Sequence, residues 1–402
     1  MSSLKSAVVG GVESHVLGKS LLATLAVAAG LSVANIYYNQ SMLGVLARQF
    51  GVSASAVSII PVLSQIGYAF GILFLSPLGD RFERKGLILN TLLALAVALA
   101  GTALAPSLTG FAVASFITGV LATVTQQLVP MAVHLAPARE RGKVIGIVTG
   151  GVLLGILLAR TVSGYVTDHL DWRVMFWIAA GLMLVLAGIL AVLLPRVSPT
   201  TQVSYPQLLK SLWHLLRTHR VLRQAALVQA LVFAAFLAFW SDLALLFQQA
   251  PYHLGGTAVG MIGVVGAGGA LVAPIAGRFA DRRGPAVVVS LGAALVVLSF
   301  AIFGLLQGSM IALVAGVIIM DLAVQSSQVS NQARVYALDP AARSRLNTVF
   351  MTAMFCGGAV GAGAGGIAFQ SMGWTGTCLF GGGAALLALC VSLSRPAYTH
   401  PA

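Results

Sequence analysis

Apolar runs of about 20 residues recur along almost the whole chain, and little but a bundle of membrane-crossing helices accommodates that pattern. At 1.5 Å of rise per residue, about 20 residues cross the roughly 30 Å hydrocarbon layer of a bilayer. Twelve spans are legible, at 20–44, 54–77, 87–105, 109–135, 144–166, 174–194, 224–248, 256–276, 286–306, 309–337, 346–369 and 375–394. Only 8% of the 402 residues are charged, which is too few for the surface of a soluble domain this large. No cleavable signal peptide is expected, because residues 1–18 are weakly polar and the first apolar run is long enough to remain as a span.

The net charge of +13 would suggest nucleic acid in a soluble protein. Here its distribution gives another reading. With the N-terminus in the cytoplasm, twenty of the 23 Lys and Arg fall in cytoplasmic segments, with Arg48 and Arg173 outside and Arg160 within a span. That asymmetry is the positive-inside rule, and it places both termini in the cytoplasm of an inner-membrane protein with no nucleic-acid partner. Cys356, Cys378 and Cys390 lie in late apolar runs without metal-ligand spacing and are expected to be small core residues.

The charges that remain are concentrated. SPLGDRFERKG (76–86), after span 2, matches GRFADRRGPAV (277–287), after span 8, so that Asp80-Arg81 aligns with Asp281-Arg282 at an offset of 201. Arg141 matches Arg345 at 204, and Trp172 matches Trp374 at 202. Three markers in one order at half the chain length indicate an internal repeat. The expected fold is all-α, with twelve transmembrane helices in two parallel pseudo-symmetric six-helix bundles. The expected division is a tail at 1–18, a first bundle at 19–194, a linker at 195–223, a second bundle at 224–395 and a tail at 396–402. Within the linker, Leu208, Leu209, Leu212, Trp213 and Leu216 share one helical face, opposite Lys210, His214, Arg217 and Arg220. That pattern suits a basic amphipathic helix on the inner membrane surface.

Two six-span halves and the Asp-Arg turns resemble the major facilitator superfamily, over about residues 18–395. GRFADRRG (277–284) matches the family's loop signature, and the first copy departs from it at Ser76 and Glu83. NIYYNQ (35–40), LLARTVSG (157–164) and QVSNQARVYALDP (328–340) look most like bacterial proton-coupled drug and metabolite efflux permeases. Ser115 stands where such exporters carry an arginine, and span 5 lacks their proline. The resemblance implies a monomer without cofactors. It also implies a conformational latch at Asp80, Arg81, Arg84, Asp281 and Arg282, which hold neighbouring helix ends together in one state. The alternative for these residues is a plain solvated turn.

A carboxylate in hydrocarbon is costly and usually faces a partner or a pathway. Of ten acidic residues only Asp242 and Asp321 fall inside spans, so proton coupling is assigned to these two. Asp321 lies ~18 Å into span 10, at the midplane by helical rise. It shares a face with Gln325, Gln328 and Gln332, which form either a substrate surface or a structural network. Candidate substrate-binding residues are Asn35, Tyr38 and Asn39 (one face of span 1), Gln126 and Gln127 (span 4), Arg160 (span 5), Phe236 and Trp240 (span 7), and Gln325 and Gln328 (span 10). Arg160 either snorkels outward to Asp168 or Asp171 or attracts an anionic substrate. The ladders Gly146/Gly150, Gly151/Gly155 and Gly357/Gly361/Gly365 are expected where helices of the two halves meet.

The absence of a nucleophile–base pair, a metal cluster or an ATP-binding loop argues against an enzyme or a primary pump. The expectation is a secondary transporter exporting a small organic compound by proton antiport. An uptake symporter and a non-transporting membrane sensor are the alternatives.

Overall fold

The computed structural model describes residues 18–197, 204–270, 284–339 and 342–394. For Asp80 the backbone alone is described, and Asp281 and Arg282 of the expected latch lie outside these residues. The described chain is helical throughout, with no strand. Among the described residues, ten helices are long and apolar enough to cross a membrane. They are spans 2 (Ala54–Phe74), 3 (Arg84–Ala103), 4 (Leu108–Leu135), 5 (Arg141–His169), 6 (Trp172–Leu193), 7 (Arg220–Phe247), 9 (Pro285–Leu305), 10 (Met310–Tyr336), 11 (Arg343–Met372) and 12 (Trp374–Leu393). A bent helix pair forms span 1, and Gly256–Ala270 occupies the place of span 8. Apolar side chains point outward along these helices, Val97, Val192 and Ile311 being 73, 83 and 83% exposed, as suits a hydrocarbon surround rather than water.

Span 1 departs from the continuous helix expected over 20–44. Lys19–Ala34 is followed by a 3-10 turn, Tyr38–Met42, and the axis bends by 42°. Asn35 explains the break. Its Nδ2 donates to the Leu31 and Ser32 carbonyls at 2.9 and 3.0 Å, competing with the helical ladder. The next amides, Ile36 and Tyr37, then pair three residues back with Val33 and Ala34.

Several spans begin on a side-chain cap that the sequence supplies: Ser107 for span 4, Asp171 for span 6 and Ser309 for span 10. Glu83 caps span 3, accepting from the Lys85 and Gly86 amides at 2.9 and 2.7 Å. It also accepts from Val197 N–H at 3.3 Å, so it ties the turn after span 2 to the chain leaving span 6. Burial pushes its pKa up, but these three backbone bonds outweigh that effect and hold it below the usual carboxylate range.

The packing repeats with the sequence. Spans 1 and 5, 2 and 4, and 3 and 6 pair in the first half, and spans 7 and 11, 8 and 10, and 9 and 12 pair in the second. Between the halves, span 5 meets span 8 and span 11 meets span 2. The glycine ladders do not make those contacts. Gly151 and Gly155 lie against Ala26 and Gly30 of span 1, and Gly357 and Gly361 against Ala230 and Ala234 of span 7, all inside one half. Gly146 and Gly150 face open space. The halves approach instead at Gly164 against Gly256, Gly260 against Thr161, and Gly366 against Ser58, where any Cβ would overlap its neighbour. Of the cysteines only Cys378 is buried, whereas Cys356 and Cys390 are exposed on their helices.

The linker helix Tyr205–Thr218 defines one end of the molecule, the linker face. Leu212 and Leu215 are buried, and the Tyr205 hydroxyl donates to the Phe74 carbonyl at the end of span 2 at 2.9 Å. Leu208 and Leu212, with Ser76 and Pro77 after span 2 and Ser344, Arg345 and Thr348 of span 11, line a small cleft there.

Candidate functional site

The break in span 1 decides which polar side chains reach the middle of the protein. Past it, Tyr37 and Gln40 turn toward span 5. The Arg160 Nε donates to Gln40 Oε1 at 2.8 Å, and its guanidinium carbon lies 5.1 Å from the Tyr37 ring centre. From the second half, Trp240 and Phe236 of span 7 approach the same guanidinium, at 4.2 and 5.8 Å to their ring centres. A cation over aromatic faces gains electrostatically from the ring quadrupoles, more so when water is excluded. Arg160 is 3% exposed. It does not snorkel outward. Asp168 accepts instead from the Gly256 and Thr257 amides, and Asp171 accepts from Arg173.

Span 8 runs beside Arg160 and reaches Asp321. A Cβ added at Gly263 would touch the Arg160 side chain at 3.7 Å, and one added at Gly266 would lie 2.6 Å from Asp321 Oδ2. One face of span 8 therefore borders both Arg160 and Asp321. Arg160 Nη2 and Asp321 Oδ2 are both buried without a hydrogen-bond partner. Gln40 Nε2 and Trp240 Nε1 are likewise buried and unpartnered. Buried polar groups are rarely left unsatisfied, so these four make this place a candidate binding site.

From Trp240 an aromatic wall runs along span 7 toward the linker face, through Phe236 and Phe233 with 6.2 and 5.7 Å between ring centres. It continues to Phe355 of span 11 (5.4 Å) and Tyr68 of span 2 (4.4 Å). The Tyr68 hydroxyl accepts from Gln126 Nε2 at 3.2 Å, which places Gln126 at the far end of the wall.

The structure therefore brings Arg160, Phe236, Trp240 and Asp321 together and adds Tyr37 and Gln40. Other candidates stand elsewhere. Asn35 bonds its own helix and the Met183 sulfur, Asn39 donates to Ser64, and Gln127 donates to the Leu75 carbonyl beside Gly79. Tyr38 is buried at the 3-10 turn. Gln325 and Gln328 are half-buried on the Asp321 face of span 10, and Gln332 donates to Asn347 of span 11. Asp242 is fully buried among spans 7, 11 and 12, where it accepts from Thr377 at 2.7 Å and packs against Gly365. Of the expected latch residues, Arg81 is exposed at the end of a short helix, and Arg84 is buried with its Nε donating to the Gly79 carbonyl at 3.0 Å.

At the end opposite the linker face the halves are clamped. Asp168 of span 5 caps span 8, at 2.9 Å to Gly256 N and 2.7 Å to Thr257 N. Thr161 donates to the Gly260 carbonyl, Arg48 to Gln248, and the Ser55 amide to Gln370. Asp168 carried no functional assignment from sequence; the GGT at 255–257, which opens a helix, was the available signal.

The chain matches the family model described as Major Facilitator Superfamily over residues 25–337 and 252–401. It is 40% identical over 378 residues to the "Uncharacterized transporter YgaY" of Escherichia coli O157:H7, covering 94% of this chain and 96% of that one. It is 32% identical over 385 residues to the "Probable transporter SCO4007" of Streptomyces coelicolor, covering 96% and 89%. Among solved structures, a bacterial homolog of the human lysosomal transporter Spinster, inward-facing and occupied, superposes with a TM-score of 0.73 at 13% identity, over 93% of this chain and 95% of that one. A POT family transporter in complex with 5-aminolevulinic acid superposes with a TM-score of 0.76 at 14% identity, over 95% and 96%. Likenesses at this identity speak to the fold alone.

Proposed function

The chain belongs to the major facilitator superfamily and is a multi-pass membrane transporter; on that premise we propose that it is a proton-coupled secondary active transporter of a small organic compound, working by alternating access. Asp321 carries the proton and Arg160 anchors the cargo. The observation behind this reading is that two ionisable groups of opposite sign, one from each half, are both buried, border the same face of span 8 and each keep a polar atom unpartnered. A pair in that condition is poised to take a ligand or a proton. The linker face is the cytoplasmic one, by the Lys and Arg asymmetry. The membrane is the inner membrane and the protein acts as a monomer. The clamp at Asp168 then closes the external side, and rocking of the halves about the site gives access to each side in turn.

The direction follows from how proton and cargo share the site. An anion at Arg160 binds best when Asp321 is protonated and no longer competes for the guanidinium. Proton and anion then travel together, which is uptake by symport. A cargo that competes with the proton for Asp321 is instead exported by antiport, the direction expected from the sequence. The unpartnered Arg160 Nη2 favours the first. The test is Asp321→Asn. It should abolish gradient-driven transport while leaving expression and energy-independent exchange of cargo intact. Full gradient-driven transport by that variant would sink the assignment.

A further inference from the structure

The unsatisfied atoms around Arg160 are not balanced between donors and acceptors, and the imbalance identifies what is missing. Of the four, three are N–H donors, Arg160 Nη2, Gln40 Nε2 and Trp240 Nε1, against one acceptor, Asp321 Oδ2. Gln40 presents this donor because its oxygen is already taken by Arg160 Nε at 2.8 Å, which turns the other end of the amide outward from that bond. Trp240 lies face-on to the guanidinium at 4.2 Å, so its indole N–H stands beside the same group. An indole nitrogen can only donate, and so can a guanidinium. Burying such groups without acceptors is costly, and the cost is recovered when a ligand brings acceptors in.

We propose that the cargo is an organic monocarboxylate with a flat apolar body, its carboxylate received by Arg160, Gln40 and Trp240. This deepens the reading of Arg160 as the cargo anchor and rests on it. Two carboxylate oxygens carry about four acceptor positions, enough for three donors, and a guanidinium fork matches their planar geometry. A single negative charge fits better than two, because Arg160 brings one positive charge and Asp321, bordering the same face of span 8, already brings a negative one. The apolar body lies along the rings of Phe236 and Phe233, which lead away from Arg160 toward the linker face.

The experiment measures equilibrium binding to the purified full-length protein in lipid nanodiscs, without any gradient. Indole-3-acetate, phenylacetate and benzoate are titrated beside their neutral amides, with binding read from thermal stabilisation. The carboxylates are expected to stabilise the protein saturably, and the amides to bind at least tenfold more weakly. Arg160→Gln should erase the difference between acid and amide. Trp240→Phe, which keeps an aromatic ring and removes the donor, should weaken the acids several-fold and the amides less. Equal binding of acids and amides, no acid binding at all, or a preference for acids that persists in Arg160→Gln overturns the proposal. A misfolded Arg160→Gln is recognised by its melting profile, and Trp240→Phe then carries the test. Because no proton gradient is present, binding can succeed where proton coupling fails, and coupling can hold for a neutral cargo where carboxylate binding fails.

Discussion

The carboxylate of Asp168, on span 5, caps the first turn of span 8 in the other half, accepting from the Gly256 amide at 2.9 Å and from Thr257 at 2.7 Å. A helix N-terminus carries partial positive charge and unsatisfied N–H groups, so a carboxylate there satisfies both. Because the cap and the capped helix belong to different halves, the bond exists only while that end is closed.

Removing it should loosen the closed state. A cap of this kind contributes about 1 kcal/mol, close to a fivefold change in an equilibrium. Asp168→Ala is therefore expected to raise several-fold the rate at which a cysteine at Ser41, buried behind the clamp, reacts with a hydrophilic thiol reagent. The native cysteines are replaced in that background. An unchanged rate would show that the clamp does not hold the end shut.

Span 8 offers a paired test of the site. A methyl at Gly266 would press within 2.6 Å of Asp321 Oδ2, whereas one at Gly263 meets Arg160 at an ordinary 3.7 Å. Gly266→Ala should lose most gradient-driven transport with expression retained, and Gly263→Ala should keep it. Equal activity in the two variants would place Asp321 outside the transport cycle.

Glu83 makes stability depend on pH. Its pKa is lowered in the folded protein, so its contribution is complete above the unfolded value of about 4.3 and is lost as pH falls through the lower folded value. Glu83→Ala should cost about 1 kcal/mol at neutral pH, as for other N-caps. The melting temperatures of variant and parent should converge on acidification. A constant gap from neutral to acid pH would contradict the capping role.

Close helix approach within each half should be intolerant of bulk. Gly361→Val places a side chain against the Ala234 carbonyl and is expected to destabilise by about 1–3 kcal/mol or to block folding. Gly146→Ala, inside a helix and facing open space, should be tolerated and stabilise by up to about 1 kcal/mol. Denaturation of the two purified variants compares them directly.

Hydropathy alone made the spans legible, since hydrocarbon requires every backbone group to be paired within its own helix. The halves were legible because Asp80, Arg141 and Trp172 recur in the second half of the chain. Arg160 and Asp321 stood out because charge is so rare inside the spans. Tyr37 and Gln40 were not separated from Asn35, Tyr38 and Asn39, because helical spacing was carried through a stretch where the helix breaks. NIYYNQ contains several weak helix formers in an apolar run, and that was the available warning. The glycine ladders were placed between the halves because spacing reveals a small-residue face but not the partner it meets.

The measurement that bears most directly on proton-coupled transport through Arg160 and Asp321 is cellular accumulation of labelled aromatic carboxylates and their amides. It is made with and without this protein, before and after a protonophore, in parent and Asp321→Asn. The account predicts higher accumulation of a carboxylate, abolished by the protonophore and absent in Asp321→Asn. Accumulation that the protein alters but the protonophore and Asp321→Asn leave untouched would contradict proton coupling at this site. Lower accumulation restored by the protonophore would keep the coupling and reverse the direction to export.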